Sequence, residues 1–229
     1  MAESFSTIYQ RACERKGGEQ ALESMLSTPL TAQQIADIPD HRFLAEMTKK
    51  VFQSGFVWRV IEQKWPNFET VFFNFDIDKV LLMPDEMLEK KASDARIVRN
   101  YKKVVTIREN ALMIKDVARK HGSFGQFAAT FNASDITELW AYLKKHGARL
   151  GGNTGPYMLR AIGVDTFLFS RDVEDYLRKQ DIIDGGLSSK KSLVAANAAF
   201  ASWQKESGRS LQEISAIVAF SWGTNQRMV

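Results

Sequence analysis

The sequence predicts an all-α fold on two observations: apolar residues recur at helical spacing along the chain, and convincing alternating strand runs are missing. Phe43, Leu44, Met47 and Val51 follow that spacing behind Asp40, which reads as an N-cap, and Val104, Ile107, Ala111, Ile114 and Ala118 repeat it. Thr31 with Gln34, Asp135 with Glu138 and Ser210 with Glu213 have the spacing of capping boxes, and Pro84 suits a first helical position. Glycine-containing breaks at Gly17-Gly18, Gly122, Gly147, Gly151-Gly152, Gly185-Gly186 and Gly208 divide the chain into roughly ten helices of ordinary length. Only Val104 to Ile107 and Thr166 to Phe169 offer even a short β-branched or aromatic run.

With 229 residues, 45% hydrophobic and 25% charged, the chain can bury a sizeable core as one domain or two tightly packed lobes. No apolar run reaches signal-peptide or membrane-spanning length, so a cytoplasmic protein with no membrane partner is expected. Cys13 is the single cysteine and cannot form an internal disulfide; with His41, His121 and His146 it makes no zinc-like spacing, and neither metal nor other cofactor is expected. The net charge is a modest +4. Between residues 89 and 120, however, Lys90, Lys91, Arg96, Arg99, Lys102, Lys103, Arg108, Lys115, Arg119 and Lys120 face only Glu89, Asp94, Glu109 and Asp116. That concentration reads either as a solvated helix face of mixed charge or as a nucleic-acid footprint.

Leu150-Gly151-Gly152-Asn153-Thr154-Gly155-Pro156-Tyr157 lies between two helical segments, which makes helix, glycine turn, helix. Glycines there allow successive backbone N–H groups to converge on one phosphate, helped by the dipole of the following helix, although an ordinary interhelical turn has the same composition. Gln53-Ser54-Gly55-Phe56-Val57-Trp58, then Asp94-Ala95-Arg96-Ile97-Val98-Arg99, then Gly152-Asn153-Thr154 with Tyr157 belong to three stretches that span roughly residues 40 to 177 and resemble, in the same order, motifs of the 3-methyladenine DNA glycosylase I family. Leu44-Ala45-Glu46-Met47 with Gln53-Ser54-Gly55-Phe56-Val57-Trp58 resembles that family's base-pocket helix and the Gln-x-Gly-x-x-Trp turn after it. Asp94-Ala95-Arg96-Ile97-Val98-Arg99-Asn100 with Lys103 resembles its Asp-Ala-Gly-Ile-Ile-Arg segment. Lys144-Lys145-His146-Gly147, then Gly152-Asn153-Thr154 and Tyr157, resembles its hairpin.

The resemblance implies a helix-hairpin-helix glycosylase fold: two helical lobes, approximately 1–40 with 178–229 and 41–177, flank a base-binding cleft, with the hairpin at 147–157. It implies base excision on double-stranded DNA, in which an alkylated purine such as 3-methyladenine is flipped out and its N-glycosidic bond hydrolysed. Trp58 is the expected stacking face, where an indole attracts a cationic base; its alternative is an ordinary buried tryptophan. Gln53 and Phe56 would fill the gap left by the base, against a structural turn and core phenylalanine. Gly151, Gly152, Asn153, Thr154, Arg99 and Lys103 are the expected DNA-backbone contacts. Tyr9 is a further base-pocket candidate, and a monomer is expected.

The sequence departs from the pattern at several points. Ser170 stands where the wider superfamily has a catalytic Asp, and Asp172 reads as an acid in the first turn of a helix. Lys50 stands at the position of the family's pocket Glu; a lysine would repel a cationic base, so it either points outward or the pocket takes a different lesion. Glu46, one turn earlier, is the surrogate catalytic carboxylate, or merely the partner of an i, i+4 surface pair. Asn153 and Thr154 stand where lyase-type relatives carry a lysine, which implies a monofunctional hydrolase. The family's zinc ligands have no counterparts, so Phe5, Ile8 and Tyr9 with Leu211, Ile214 and Val218 are expected to join the chain ends by packing. Two other readings stand beside the enzyme: a lesion-binding protein without catalysis, and an unrelated helical interaction module.

Overall fold

The computed structural model describes residues 3–223, and among them there are fourteen α-helices, one 3-10 turn and no strand. The chain opens with α1 (Phe5–Lys16), α2 (Glu19–Glu23), α3 (Ala32–Ala36), α4 (Asp40–Gln53) and α5 (Trp58–Val71), and crosses the 3-10 turn Phe73–Phe75 into α6 (Ile77–Leu81). Next come α7 (Asp85–Ala92), the long α8 (Tyr101–His121), α9 (Phe124–Ala128), α10 (Ile136–His146) and α11 (Thr154–Ile162). The last three are α12 (Arg171–Lys179), α13 (Lys190–Ser207) and α14 (Leu211–Ser221). The all-α expectation holds. Helices outnumber the expected ten because α2, α3, α6 and α9 are five-residue turns that stop at Ser24, Asp37, Leu82 and Ala129, where no glycine marks the end. No helix among the described residues is long and apolar enough to cross a membrane.

Two of the helix-start signals hold. Thr31 with Gln34 and Ser210 with Glu213 form reciprocal capping boxes. Two assignments need correcting. Pro39, not Asp40, is the N-cap of α4; the Asp40 carboxylate instead accepts the Phe124 N–H at 2.8 Å, holding the start of α9. Pro84 is the N-cap of α7 rather than its first helical residue. Val104 to Ile107 lies inside α8, and Thr166 to Phe169 is a non-helical connector with Phe167 and Phe169 buried.

The chain divides into two units. The first comprises the described residues up to Leu30, Asn132–Thr137 and those from Asp165 onward. Its α1 and α12 pack on α14, with Phe5, Ile8, Leu211, Ile214 and Val218 all buried, so apolar packing joins the chain's early and late helices. Each fully buried side chain of that size contributes roughly 1.5–3 kcal/mol. Glu3 ties this core together: its carboxylate takes Arg11 (2.6 Å) and the Tyr176 hydroxyl (2.9 Å), and its carbonyl accepts the Trp203 indole N–H at 2.9 Å.

The second unit is Thr31–Phe131 with Glu138–Val164. Helix α4 is its centre, with α5, α8, α9 and α11 packed around it and Phe43, Leu44, Met47, Val51 and Phe52 buried. Phe52 meets Phe68 edge-on at 4.7 Å, and Trp65 stacks on Phe68 and on Phe75, both at 5.4 Å, which makes an aromatic block under the start of the candidate site.

Candidate functional site

Most of α4 is buried, and three of its polar residues share one edge. Glu46, Lys50 and Gln53 recur at the four- and three-residue steps that align side chains on a helix. The Lys50 ammonium lies 3.3 Å from Glu46 Oε1 and donates to Gln53 Oε1 at 3.1 Å. Helix α4 ends there, the chain turns through Ser54 to Val57, and α5 starts at Trp58. The Trp58 indole is 41% exposed, meets Tyr157 of α11 edge-on at 5.9 Å, and carries the Lys50 ammonium 5.4 Å from its ring centroid. One ammonium therefore bridges a carboxylate, an amide oxygen and an indole face. Gln53 is itself only 2% exposed and reaches Glu62 Oε1 at 3.5 Å. Burial raises the pKa of the Tyr157 hydroxyl above its ordinary value.

Lys103, near the start of α8, supports this turn from below. Its ammonium donates to the carbonyls of Ser54 (2.6 Å) and Phe52 (3.2 Å), at the negative end of the α4 dipole, and lies 4.6 Å from the Phe56 ring centroid. Burial, and after it the nearby Arg149, lowers its pKa.

The glycine turn runs from Gly147 to Asn153 between α10 and α11. Gly152 is exposed at φ +60, and a Cβ on Gly155 would lie 2.6 Å from the Leu150 carbonyl, so the close approach of turn to helix requires glycine. Asn110 of α8, fully buried, fixes the turn reciprocally: Ala148 N–H donates to its Oδ1 at 2.8 Å and its Nδ2 donates to the Ala148 carbonyl at 3.2 Å. Pro156 occupies the first turn of α11, where a missing N–H is harmless, and Asn153 makes no side-chain capping bond to that helix. Lys144, Lys145 and Arg149 are exposed around it. Backbone amides at a helix N-terminus within such a cationic rim can hold an anion.

The predicted residues fall into groups. Glu46, Gln53 and Trp58 converge through Lys50, with Phe56 in the adjoining turn, while Gly151, Gly152, Asn153 and Thr154 form the hairpin corner and its helix start. The buried-tryptophan alternative for Trp58 does not hold, because the α4–α5 turn brings the indole out of the aromatic block. Lys50 does not point outward: its side chain is 13% exposed and lies over the indole. Lys103 departs from its expected contact with the DNA backbone, since burial and two backbone carbonyls engage its ammonium. Arg99 is exposed between α7 and α8 and lines an open concavity with Glu89, Ser93 and Tyr101. Besides Lys103, five of the segment's cations make contacts within the chain, mostly at the surface: Lys91 bonds Val71 O, Arg96 pairs with Asp94, Arg108 with Asp85, Lys115 with Asp78 and Arg119 with Asp116, while Lys90, Lys102 and Lys120 are exposed. Asp94 is held down to about 2 by its hydrogen bonds from Arg96.

In the first unit, Tyr9 donates to Glu23 (2.6 Å) and Glu19 (3.2 Å) under the Arg209 guanidinium. Ser170 is the buried N-cap of α12, accepting the Val173 N–H, and Asp172 sits in that helix's first turn, as expected. Sequence reasoning missed Asn110 as the pin of the glycine turn and Arg149 as part of its rim. A buried Asn amid the apolar positions of α8 was the available signal for the first.

An all-helical chain with a helix–glycine turn–helix in its second unit has the architecture of the helix-hairpin-helix DNA glycosylases. The comparison with solved structures agrees: the 8-oxoguanine DNA glycosylase of Methanocaldococcus jannaschii aligns over 93% of this chain and 92% of its own, at 16% identity and a TM-score of 0.55. The glycosylase/lyase from the same organism, solved with a 15-mer DNA containing 8-oxoguanine, covers 93% and 96% at 15% identity and 0.54. The family model for methyladenine glycosylase matches residues 36–163. The chain belongs to the methyladenine glycosylase family and is a DNA glycosylase by class. The 3-methyladenine DNA glycosylase I of Staphylococcus aureus aligns over 63% of this chain and 84% of its own, at 21% identity and a TM-score of 0.49. Among curated proteins none matches.

Proposed function

We propose that the protein excises alkylated purines from double-stranded DNA as a monofunctional glycosylase. The extruded base stacks on Trp58 beside Glu46 and Gln53, Phe56 props the opened duplex, and the hairpin Gly151 to Thr154 with Arg99 holds the sugar-phosphate chain. The observation that carries this reading is the placement of Trp58: a large aromatic side chain 41% exposed at a helix start, next to a carboxylate and an amide on one edge of α4. As the C1′–N bond lengthens, positive charge grows on the sugar; a carboxylate nearby lowers that barrier, which is the role proposed for Glu46. Water then supplies the hydroxyl at C1′. Asn153 and Thr154 stand at the hairpin position where lyase-type relatives carry a lysine, so that position offers no amine for a Schiff base.

The test is single-turnover incubation of excess protein with a duplex treated with a methylating agent, followed by chromatography of free bases and borohydride treatment of a parallel sample. Release of an alkylated purine with no covalent protein–DNA adduct is expected. A borohydride-trapped adduct would overturn the monofunctional assignment. Lys50 in place of the family's pocket Glu, together with Ser170 in place of the wider superfamily's Asp, favours a second reading, a lesion-binding protein without catalysis; it predicts retention of the modified duplex with no base released.

A further inference from the structure

From the position of Lys50 we infer that the proposed base site at Trp58 selects alkylated purines that carry no charge, and that Lys50 is the residue that sets this preference. The inference rests on the reading of Trp58 as the base platform. The Lys50 ammonium already lies over the indole, 5.4 Å from its centroid, so a cation–π site that would attract a cationic base is filled by the chain's own cation. Glu46 pairs with the same ammonium at 3.3 Å, so beside the indole its negative charge is matched by a positive one and gives a cationic base no net attraction. Gln53 turns its oxygen toward Lys50, and its Nε2 is directed at Glu62. With a side chain 13% exposed, Lys50 is too enclosed for bulk water to screen its charge fully.

A base that displaces the ammonium sideways keeps it as an edge neighbour. An ammonium has three donors and no acceptor, so it pairs with ring nitrogens or carbonyl oxygens of a neutral base and opposes a protonated or quaternised one. The chemistry of departure points the same way. When the C1′–N bond breaks, its electron pair stays on the base: a cationic purine leaves neutral, whereas an uncharged purine leaves as an anion until protonated. Lys50 stabilises only the second. Water provides the hydroxyl bonded to C1′, and its remaining proton, passed directly or through the Lys50 ammonium, neutralises the base.

The experiment uses the full chain and three otherwise identical duplexes holding one 1,N6-ethenoadenine (uncharged), one 7-methylguanine (cationic) or no lesion. Both lesion binding and base release are measured for wild type, Lys50→Met, Lys50→Glu and Lys50→Arg, each checked by thermal melting. Wild type should favour the ethenoadenine duplex by at least about tenfold, the factor that 1.4 kcal/mol represents. Lys50→Arg should keep the preference, Lys50→Met should remove it, and Lys50→Glu should reverse it. A wild-type preference for 7-methylguanine, or the same preference in wild type and Lys50→Met, overturns the inference. If no base is released but the binding ratios follow Lys50, the inference stands and the catalytic reading falls. If neither lesion duplex binds better than the undamaged one, the base platform and the inference fall together.

Discussion

Replacing Asn110 by Ala should loosen the glycine turn from inside the second unit. The native amide makes two hydrogen bonds to one backbone residue, accepting from Ala148 N–H at 2.8 Å and donating to its carbonyl at 3.2 Å, and is itself fully buried. Each bond is worth about 0.5–1.5 kcal/mol net, and leaving a partly enclosed N–H and carbonyl without partners costs about 1–3 kcal/mol more. The expected loss is therefore about 2–6 kcal/mol, or roughly 4–24 °C in melting temperature for a chain of this size. Calorimetry gives the first quantity. Hydrogen exchange gives the second readout: the Ala148 amide should lose protection, and affinity for undamaged duplex should fall because the hairpin no longer presents a fixed corner. Asn110→Asp keeps the acceptor for Ala148 N–H but sets two oxygens against each other, so it should also destabilise. A loss under about 0.5 kcal/mol with Ala148 protection unchanged would refute the assignment of Asn110 as the pin.

Three further outcomes follow from the same geometry. Gly155→Ala places a Cβ 2.6 Å from the Leu150 carbonyl, so it should cost about 1–3 kcal/mol in denaturant titration, and a neutral result would mean that α11 can shift away from the turn. Lys103→Met keeps the stem but removes two charge-assisted bonds to Phe52 O and Ser54 O; a loss of about 1.5–3 kcal/mol is expected, with lesion selectivity reduced through the displaced α4–α5 turn. The hydrogen bonds from Arg11 and Arg209 lower the pKa of Glu3 and Glu23 below the ordinary 4.5. Lowered carboxylate pKa values stabilise the fold fully above pH 4.5, and that contribution is lost as pH falls through the folded-state values; Glu3→Gln should be less stable at pH 7 and show a shallower acid dependence, and an unchanged slope would contradict the pairing.

Much of the fold was legible because its signals are local. The capping boxes at Thr31 and Ser210 and the periodic faces of α4 and α8 depend on neighbours within a few residues, and the structure carries them. Boundaries were lost where long-range partners decide: Asp40 looks like an N-cap in sequence, yet its carboxylate closes α9, some eighty residues away. The short helices end without glycine and left no punctuation to read. Nor does the sequence reveal Phe73, Asn74 and Phe75 in a row at positive φ, a turn held by the burial of Phe75 under Trp65.

At the candidate site the residue types were readable and their relations were not. Motif order placed Glu46, Gln53, Trp58 and the glycine turn together. Whether Lys50 turned outward depended on the packing of α4 against α5 and α11, which no spacing encodes, and the same packing engages Lys103 internally while leaving Arg99 exposed.

The central claim is that Trp58 receives the extruded purine, and Trp58→Ala tests it most directly. Affinity should be measured for a duplex bearing one alkylated purine and for its undamaged counterpart, at one salt concentration. Trp58→Ala should lose its discrimination between the two while its affinity for undamaged duplex stays at the wild-type value. Equal losses on both duplexes, or discrimination left intact, would contradict it.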